Sequence, residues 1–468
     1  MPYTKYIARC RIGFILLVLI VIGACRAPVI IYYNAPSLAP GTRPEMNTPG
    51  YWIGRHPDPD AVIMAKGDIP WFNESIRFKT NAVQNILQYP AFRDGQALKN
   101  SFRKMLKYVS SQGYVTQDGK RASKDFLPGM EAEMGLEIIP SKIEVRWALT
   151  VANCDQRLLP TSQPLYKDTI DTSIDRLQNS ALDFATPVVI LHESIDGVWL
   201  YVVSAFSEGW VEAGCVASCT LDELACFETE EAFIITTEAK ADLFLDPFLR
   251  QHHTYLHMGV RLPVSGKWEL GPDVGVIQIL VPFRTKDGRC SFDAAYISES
   301  QVHRGYLPYT PRHAIQQAFK LLNAPYGWGG MYGEQDCSRF IQEVFATMGI
   351  ILPRNSSQQA KVGMLVASFG KKDSVSERSG KLSILASGGI TTLQFPGHIM
   401  LFLGMVDGAP YAIHDIFAYT EPATPTDKLI AINRVAVTSL NVGSGTKKGS
   451  LLQRIARVSV VVPGSIGQ

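Results

Sequence analysis

The sequence predicts a multidomain α+β chain: a small helical unit, two small β-barrels in tandem, and a C-terminal unit whose helices come before its strands. Three observations carry this. At 468 residues the chain exceeds one compact core, since domains run to roughly 100–200 residues. The texture changes along it, from helix-spaced apolar residues to β-branched and aromatic runs divided by turns, and then back to helix signals. Hydrophobic residues make up 46% and charged residues 19%, enough apolar material for packed cores and no signature of disorder.

Residues 1–25 read as an export signal, with Lys5, Arg9 and Arg11 ahead of an apolar run from Ile12 to Ala24. That run is 13 residues long, short of the roughly 20 that span a bilayer. It ends in Ile22-Gly23-Ala24-Cys25, which resembles the lipobox of bacterial lipoproteins, so Cys25 is the expected lipid-bearing residue and an uncleaved membrane anchor the alternative. Either places the rest outside the cytoplasm, as a membrane-anchored lipoprotein of the periplasm or cell envelope. Residues 26–67 hold Pro28, Pro36, Pro40, Pro44, Pro49, Pro57 and Pro59 with little apolar periodicity, and read as an extended tether.

Over 68–146, Leu98, Phe102, Met105, Leu106 and Val109 share one helix face, predicting a small, mainly helical domain. Residues 147–230 and 231–309 each predict a barrel. In the first, Pro187 to Leu191 and Trp199 to Val203 flank the turn pair Asp196-Gly197; in the second, Gly275 to Pro282 and Ala294 to Ile297 flank Asp287-Gly288. The last unit, 310–468, opens at Thr310-Pro311, a hydroxyl cap followed by proline at the first helical position. Strand-like runs follow at His398 to Leu403, Tyr411 to His414, Leu429 to Val437 and Arg457 to Val462.

With 45 basic and 43 acidic residues, nothing electrostatic calls for a nucleic-acid partner. Setting aside Cys10, Cys25 and Cys337 leaves Cys154, Cys215, Cys219, Cys226 and Cys290, an odd set with no predicted connectivity. Cys215, Cys219 and Cys226 lack paired C-x2-C spacing, and His253 and His257 have no acidic third ligand nearby, so no metal is expected.

The chemistry concentrates at Asp336-Cys337-Ser338, which opens an amphipathic pattern at Phe340, Ile341, Val344, Phe345 and Met348. A thiol in the first turn of a helix faces unpaired N–H groups and the positive end of the dipole, which favour the thiolate. Gly327, Gly329, Gly330 and Gly333 upstream would let backbone and substrate come close. His398, at the leading edge of an apolar strand, is the candidate base. The turn at Asp407-Gly408 returns the chain through His414, the preferred group to orient that ring. A two-residue turn would set His414 opposite about Leu401, so a bulge, a longer turn or barrel twist must close the gap. Asp415 is the rival, though alternation aims it at the other face.

Tyr326-Gly327-Trp328-Gly329-Gly330, Asp336-Cys337-Ser338, Leu352-Pro353-Arg354-Asn355-Ser356-Ser357-Gln358 and Gly397-His398-Ile399 stand in the order seen in NlpC-family cell-wall peptidases, which residues 310–440 resemble. The region before them resembles the subgroup with two bacterial SH3-like domains. The resemblance implies a papain-like C-terminal fold and hydrolysis, without metal or cofactor, of the bond between γ-D-glutamate and diaminopimelate or lysine in peptidoglycan stem peptides, in cell-wall turnover or recycling; the chain is expected to be a monomer. The resemblance implies Cys337 as nucleophile, His398 as base, His414 as orienting residue, Tyr326 as oxyanion donor, Asp336 and Ser338 as holders of a free L-alanine amine, and Trp328 as pocket wall. Arg339 departs from the family's small residue, as does the long stretch from Ala367 to Leu393; both are expected to bear on specificity. An acyltransferase on the same fold and an inert wall-binding scaffold are the alternatives.

Overall fold

A computed structural model of the protein describes residues 37–463 apart from 123–125, 170–171, 230, 266–274 and 386–389. The expected export signal and Cys25 lie outside the described residues. All elements below belong to the unit 38–468.

The expected tether is packed from residue 37 onward. Pro44 and Pro49 occupy first turns, of a 3-10 turn and of helix α1 (Pro49–Ile53), where a missing N–H costs nothing. Trp52, 2% exposed, donates its indole N–H to Met46 O at 2.7 Å and lies 5.7 Å from the Tyr411 ring. Counting prolines concealed these apolar anchors, which strap the segment to the C-terminal unit.

The helices expected to form one small domain serve two cores. Helix α2 (Ile69–Thr80) buries Ile69, Phe72 and Ile76 in the same core as Phe340 and Phe345. Strand β1 (Phe92–Asp94) leads into α3 (Gly95–Ser111), capped by Asp94, whose carboxylate accepts from Gln96 N at 2.8 Å. The α3 face Leu98, Phe102, Leu106 and Val109 is buried as the spacing predicts, against the barrel residues Tyr201 and Trp210. Helix α4 (Phe126–Glu133) and strand β2 (Lys142–Glu144), paired with β1, complete this part.

The first β-rich region is a seven-stranded antiparallel sheet of β3 (Arg146–Thr150), β4 (Cys154–Arg157), β5 (Gln178–Leu182), β6 (Pro187–Glu193), β7 (Trp199–Ser204), β8 (Glu208–Glu212) and β9 (Val216–Ser218), in the order β5-β4-β8-β7-β6-β3-β9. The Asp196-Gly197 turn joins β6 to β7. Helix α5 (Leu221–Thr229) leads to β10 (Phe233–Thr236), β11 (Lys240–Phe244), β12 (His252–His257), β13 (Arg261–Pro263), β14 (Val276–Arg284), β15 (Cys290–Ser298) and β16 (Val302–Arg304). These form two sheets, β13-β10-β16 and β12-β11-β15-β14, with Asp287-Gly288 between β14 and β15.

Helix α6 (Pro311–Lys320) starts at the Thr310 cap, whose hydroxyl accepts from His313 N at 3.2 Å. Helices α7 (Cys337–Ala346), α8 (Ser356–Gln359), α9 (Val375–Ser383) and α10 (Leu451–Arg454) surround a six-stranded sheet. Its strands are β17 (Met364–Ser368), β18 (Thr391–Phe395), β19 (His398–Val406), β20 (Ala409–Glu421), β21 (Lys428–Ser439) and β22 (Arg457–Val460), in the order β17-β22-β18-β19-β20-β21. Alternation gives it two buried faces. Ile399, Leu401, Leu403 and Ile413 pack with Phe340, Val344 and Phe345 of α7, while Met400, Phe402, Ala412 and Ala436 pack with Leu451 and Leu452 of α10. The chain is thus a multidomain α+β protein, as predicted.

Candidate active site

Asp336 caps α7: its Oδ1 accepts from Ser338 N at 3.1 Å and Arg339 N at 2.9 Å. Cys337 therefore takes the first helical position, where the backbone N–H has no intrahelical acceptor. Cys337 is 7% exposed and shares a buried cluster with Ile399 of the neighbouring strand. Burial, reinforced by Asp336 and Asp415, pushes the thiol up to about 12, against the Ile399 N–H. Burial thus favours the neutral thiol, against the pull of the helix terminus toward the thiolate.

Strand β19 packs on α7 through Ile399, Leu401 and Leu403 and begins at His398, which alternates with those three. The hairpin to β20 is the tight one, with Val406 opposite Ala409 and Gly404 opposite Tyr411, yet Phe402 faces Ala412. Leu403 is therefore an extra residue, a bulge next to Gly404, whose φ of +139° suits glycine. Without it His414 would face the side of the sheet opposite His398; the one-residue slip turns it to the same side. His398 Nε2 and His414 Nδ1 are 2.6 Å apart, and His414 Nε2 reaches Thr438 Oγ1 at 2.8 Å.

Burial, then Arg454, lowers His398 to about 3, and burial followed by His398 holds His414 well below the usual imidazole range. Both rings are neutral. A consistent arrangement has His398 Nε2–H donating to His414 Nδ1 and His414 Nε2–H donating to Thr438. That leaves His398 Nδ1 as a bare acceptor, with no hydrogen-bond partner among the described residues. The thiol and this ring are not hydrogen-bonded to each other in the structure; such bonds commonly tighten only around substrate. Asp415 is on the other face, fully buried, with neither oxygen hydrogen-bonded among the described residues. Burial and the nearby carboxylates of Asp336 and Glu343 push it far up, to a neutral acid that does not touch His398.

The residues predicted to hold an amine are otherwise occupied. Asp336 pairs with Arg354 through two contacts, Nη1 to Oδ1 at 3.0 Å and Nη2 to Oδ2 at 2.7 Å. Ser338 Oγ donates to Asp336 Oδ1 at 2.9 Å and accepts from Arg354 Nη1 at 2.9 Å, while Gly329 N donates to Oδ2 at 3.2 Å. A carboxylate has about four lone-pair sites, and with the two cap bonds these are filled. Burial would raise Asp336, but Arg354 overcomes it and keeps the carboxyl ionised.

A cavity of about 910 Å³ opens over Cys337, walled by Tyr326, Trp328 and Gly397. Burial, then Cys337, pushes the Tyr326 hydroxyl well up, so it is a proton-bearing donor. Other walls are Arg176, Gln178 and Glu208 from the first β-rich region, and Lys104, Met105 and Tyr108 from α3. Sequence reasoning missed these, for no motif marks them. Met105, at the margin of the α3 apolar face, is the one signal that could have pointed there.

The glycines admit neighbouring strands rather than substrate. A Cβ on Gly330 (φ +89°) would sit 2.6 Å from Ala181 Cβ, and one on Gly333 (φ +66°) 2.1 Å from the Tyr255 hydroxyl. Arg339, expected to affect specificity, is 4% exposed and joins the parts of the molecule. It bonds Glu343 Oε1 at 2.7 Å and Ala181 O at 3.0 Å, and pairs with Asp183. His257 Nδ1 lies 2.6 Å from the same Asp183 oxygen, and its Nε2 lies 3.1 Å from Gly333 O. The His253/His257 spacing thus falls on strand β12, with His257 engaged in this network and His253 set among aromatic rings.

Residues 164–212 match the SH3 domain (SH3b1 type) and residues 323–409 the NlpC/P60 family, His414 lying just beyond. A gamma-D-glutamyl-L-lysine dipeptidyl-peptidase of Bacillus cereus (strain ATCC 10987 / NRS 248) is 27% identical over 143 residues, 30% of this chain and 40% of that relative's length. An NlpC/P60 endopeptidase structure from Photobacterium damselae subsp. piscicida superposes with a TM-score of 0.72 at 18% identity, covering 92% of this chain and 99% of the other, and so shares its fold. A second structure, an NlpC/P60 family protein from Bacillus cereus ATCC 10987, gives a TM-score of 0.46 at 16% identity over 68% of this chain and 100% of the other. The chain thus carries a domain of the NlpC/P60 family, a family of cysteine peptidases, behind an SH3 domain of the SH3b1 type.

Proposed function

We propose that the protein is a cysteine endopeptidase that hydrolyses the γ-D-glutamyl to diamino acid bond of peptidoglycan stem peptides. The observation that carries this is the packing of the helix that Cys337 opens against the strand that begins at His398 and bears the His398–His414 pair. His398 Nδ1 takes the thiol proton as Cys337 Sγ attacks the γ-carbonyl. The Cys337 backbone N–H and the Tyr326 hydroxyl receive the oxyanion. The imidazolium, its ring held by His414, returns the proton to the leaving amine. Water, deprotonated by the same nitrogen, then releases the acid and restores the thiol.

The γ-D-glutamyl specificity is supported by the Bacillus cereus relative, and a free L-alanine amine remains part of the proposal with its anchor changed. With Asp336 saturated, Glu208 is the carboxylate lining the cleft that has no cationic partner among the described residues. Export and lipid attachment at Cys25 belong to the same reading, supported by the pattern of residues 1–25; mass spectrometry of the membrane fraction tests for lipid there. The decisive assay compares the protein with Cys337→Ala on stem peptides. Cleavage by the first alone is expected, and equal, negligible cleavage by both removes the proposal. N-acylation of the alanine should suppress turnover, and undiminished activity would discard the amine requirement.

A further inference from the structure

We propose that Arg176, from the SH3 domain, is the carboxylate anchor of the cleft and takes the free α-carboxylate that a γ-linked glutamyl residue keeps beside the scissile bond; this rests on the substrate reading above. Arg176 lines the same cavity as Cys337. Its guanidinium carbon lies 5.6 Å from the centroid of the Trp328 ring, within cation–π range. Its Nε is buried without a hydrogen-bond partner, and no carboxylate among the described residues pairs with the guanidinium. The neighbouring arginines differ. Arg157 pairs with Asp175 at 2.6 Å, Arg339 with Asp183 and Glu343, and Arg354 with Asp336. Asp175, the adjacent acid, also accepts from Leu165 N and Leu177 N, so it is fully used.

A cation left without a counterion in a cleft is costly unless a ligand supplies one. A guanidinium presents its donors as a rigid fork matched to a carboxylate, and here it lies within cation–π range of the Trp328 ring. A γ-glutamyl linkage uses the side-chain carboxyl and leaves the α-carboxylate ionised at neutral pH, the anion nearest the bond to be cut. Arg176 therefore sets which acyl-side residue is accepted, and converting that carboxylate to a carboxamide removes the pairing.

The test uses two stem tripeptides, identical except that the glutamyl α-carboxyl is free or amidated. The wild-type protein should lose about 10–100-fold in kcat/KM on amidation, the span of a charge-assisted hydrogen bond. Arg176→Gln should lose about as much on the acid peptide and discriminate the pair by less than about 3-fold. Wild-type discrimination in Arg176→Gln, or an equal loss on both peptides, overturns the assignment. Calorimetry on Cys337→Ala and Cys337→Ala/Arg176→Gln reads the same preference in binding. Absent turnover, which sinks the peptidase reading, is thus separated from absent carboxylate preference, which sinks this one.

Discussion

Replacing Asp183 by alanine should loosen the grip of the SH3 domain on the helix that carries Cys337. One Asp183 oxygen serves both the buried Arg339 and His257 Nδ1, so the change leaves Arg339 with Glu343 as its one carboxylate among the described residues and His257 Nδ1 without its acceptor. Removing one partner of a buried ion pair costs about 3–5 kcal/mol. The Asp183 side chain is 27% exposed, which argues for the low end, about 3 kcal/mol, a loss readable in a urea transition as a lower midpoint. The pH dependence identifies the cause. Burial works to raise Asp183, but Arg339 and His257 overcome it and hold it below its ordinary value. Its share of stability is present above an unfolded pKa of about 3.9 and fades as pH falls through the folded value. His257 is opposed by its own burial, yet Asp183 raises it. That share is complete below an unfolded pKa of about 6.5 and fades as pH rises through the raised folded value. The difference between wild type and Asp183→Ala should therefore be greatest between about pH 4 and 6.5. A loss under about 1 kcal/mol, or one that ignores pH, refutes the reasoning.

His414→Ala removes the acceptor that holds the His398 tautomer and should lower kcat by roughly 10²–10⁴-fold with little change in KM; a fall in KM-type binding alone would assign His414 a different role. Tyr326→Phe deletes one oxyanion donor and should cost about 10²–10³-fold in kcat, checked by steady-state kinetics on the same peptides. With His398 lowered to about 3 by burial and the thiol raised to about 12, kcat/KM should show no acid limb near the ordinary imidazole value of about 6.5. A limb found there would mean that the ring is solvated in the working enzyme.

The local features were written plainly in the chain. Thr310-Pro311 opens a helix, Asp336 caps the next one so that Cys337 comes first, and Asp196-Gly197 and Asp287-Gly288 turn hairpins. Each depends on residues within a few positions of one another, where side-chain chemistry and backbone geometry act directly. The pairing of His414 with His398 was legible as a need for a register slip, but where the slip falls is decided by packing. Leu403 leaves the ladder in a strand whose two faces are both filled, one against α7 and the other with the α10 core.

Sequence by itself determined the helix that Cys337 opens, the strand that His398 begins and the hairpin turns, since these follow from short-range pattern. Tertiary structure decided that the proline-rich segment is a strap, that the two early helices serve separate cores, that Arg339 and the glycines join the SH3 domain to the helix that Cys337 opens, and that Asp336 is filled by Arg354. All four depend on residues far apart in the chain competing for the same partner, and such competition leaves no periodicity to read. Burial, which sets whether the thiol and imidazole rest charged or neutral, is likewise a property of everything packed around them.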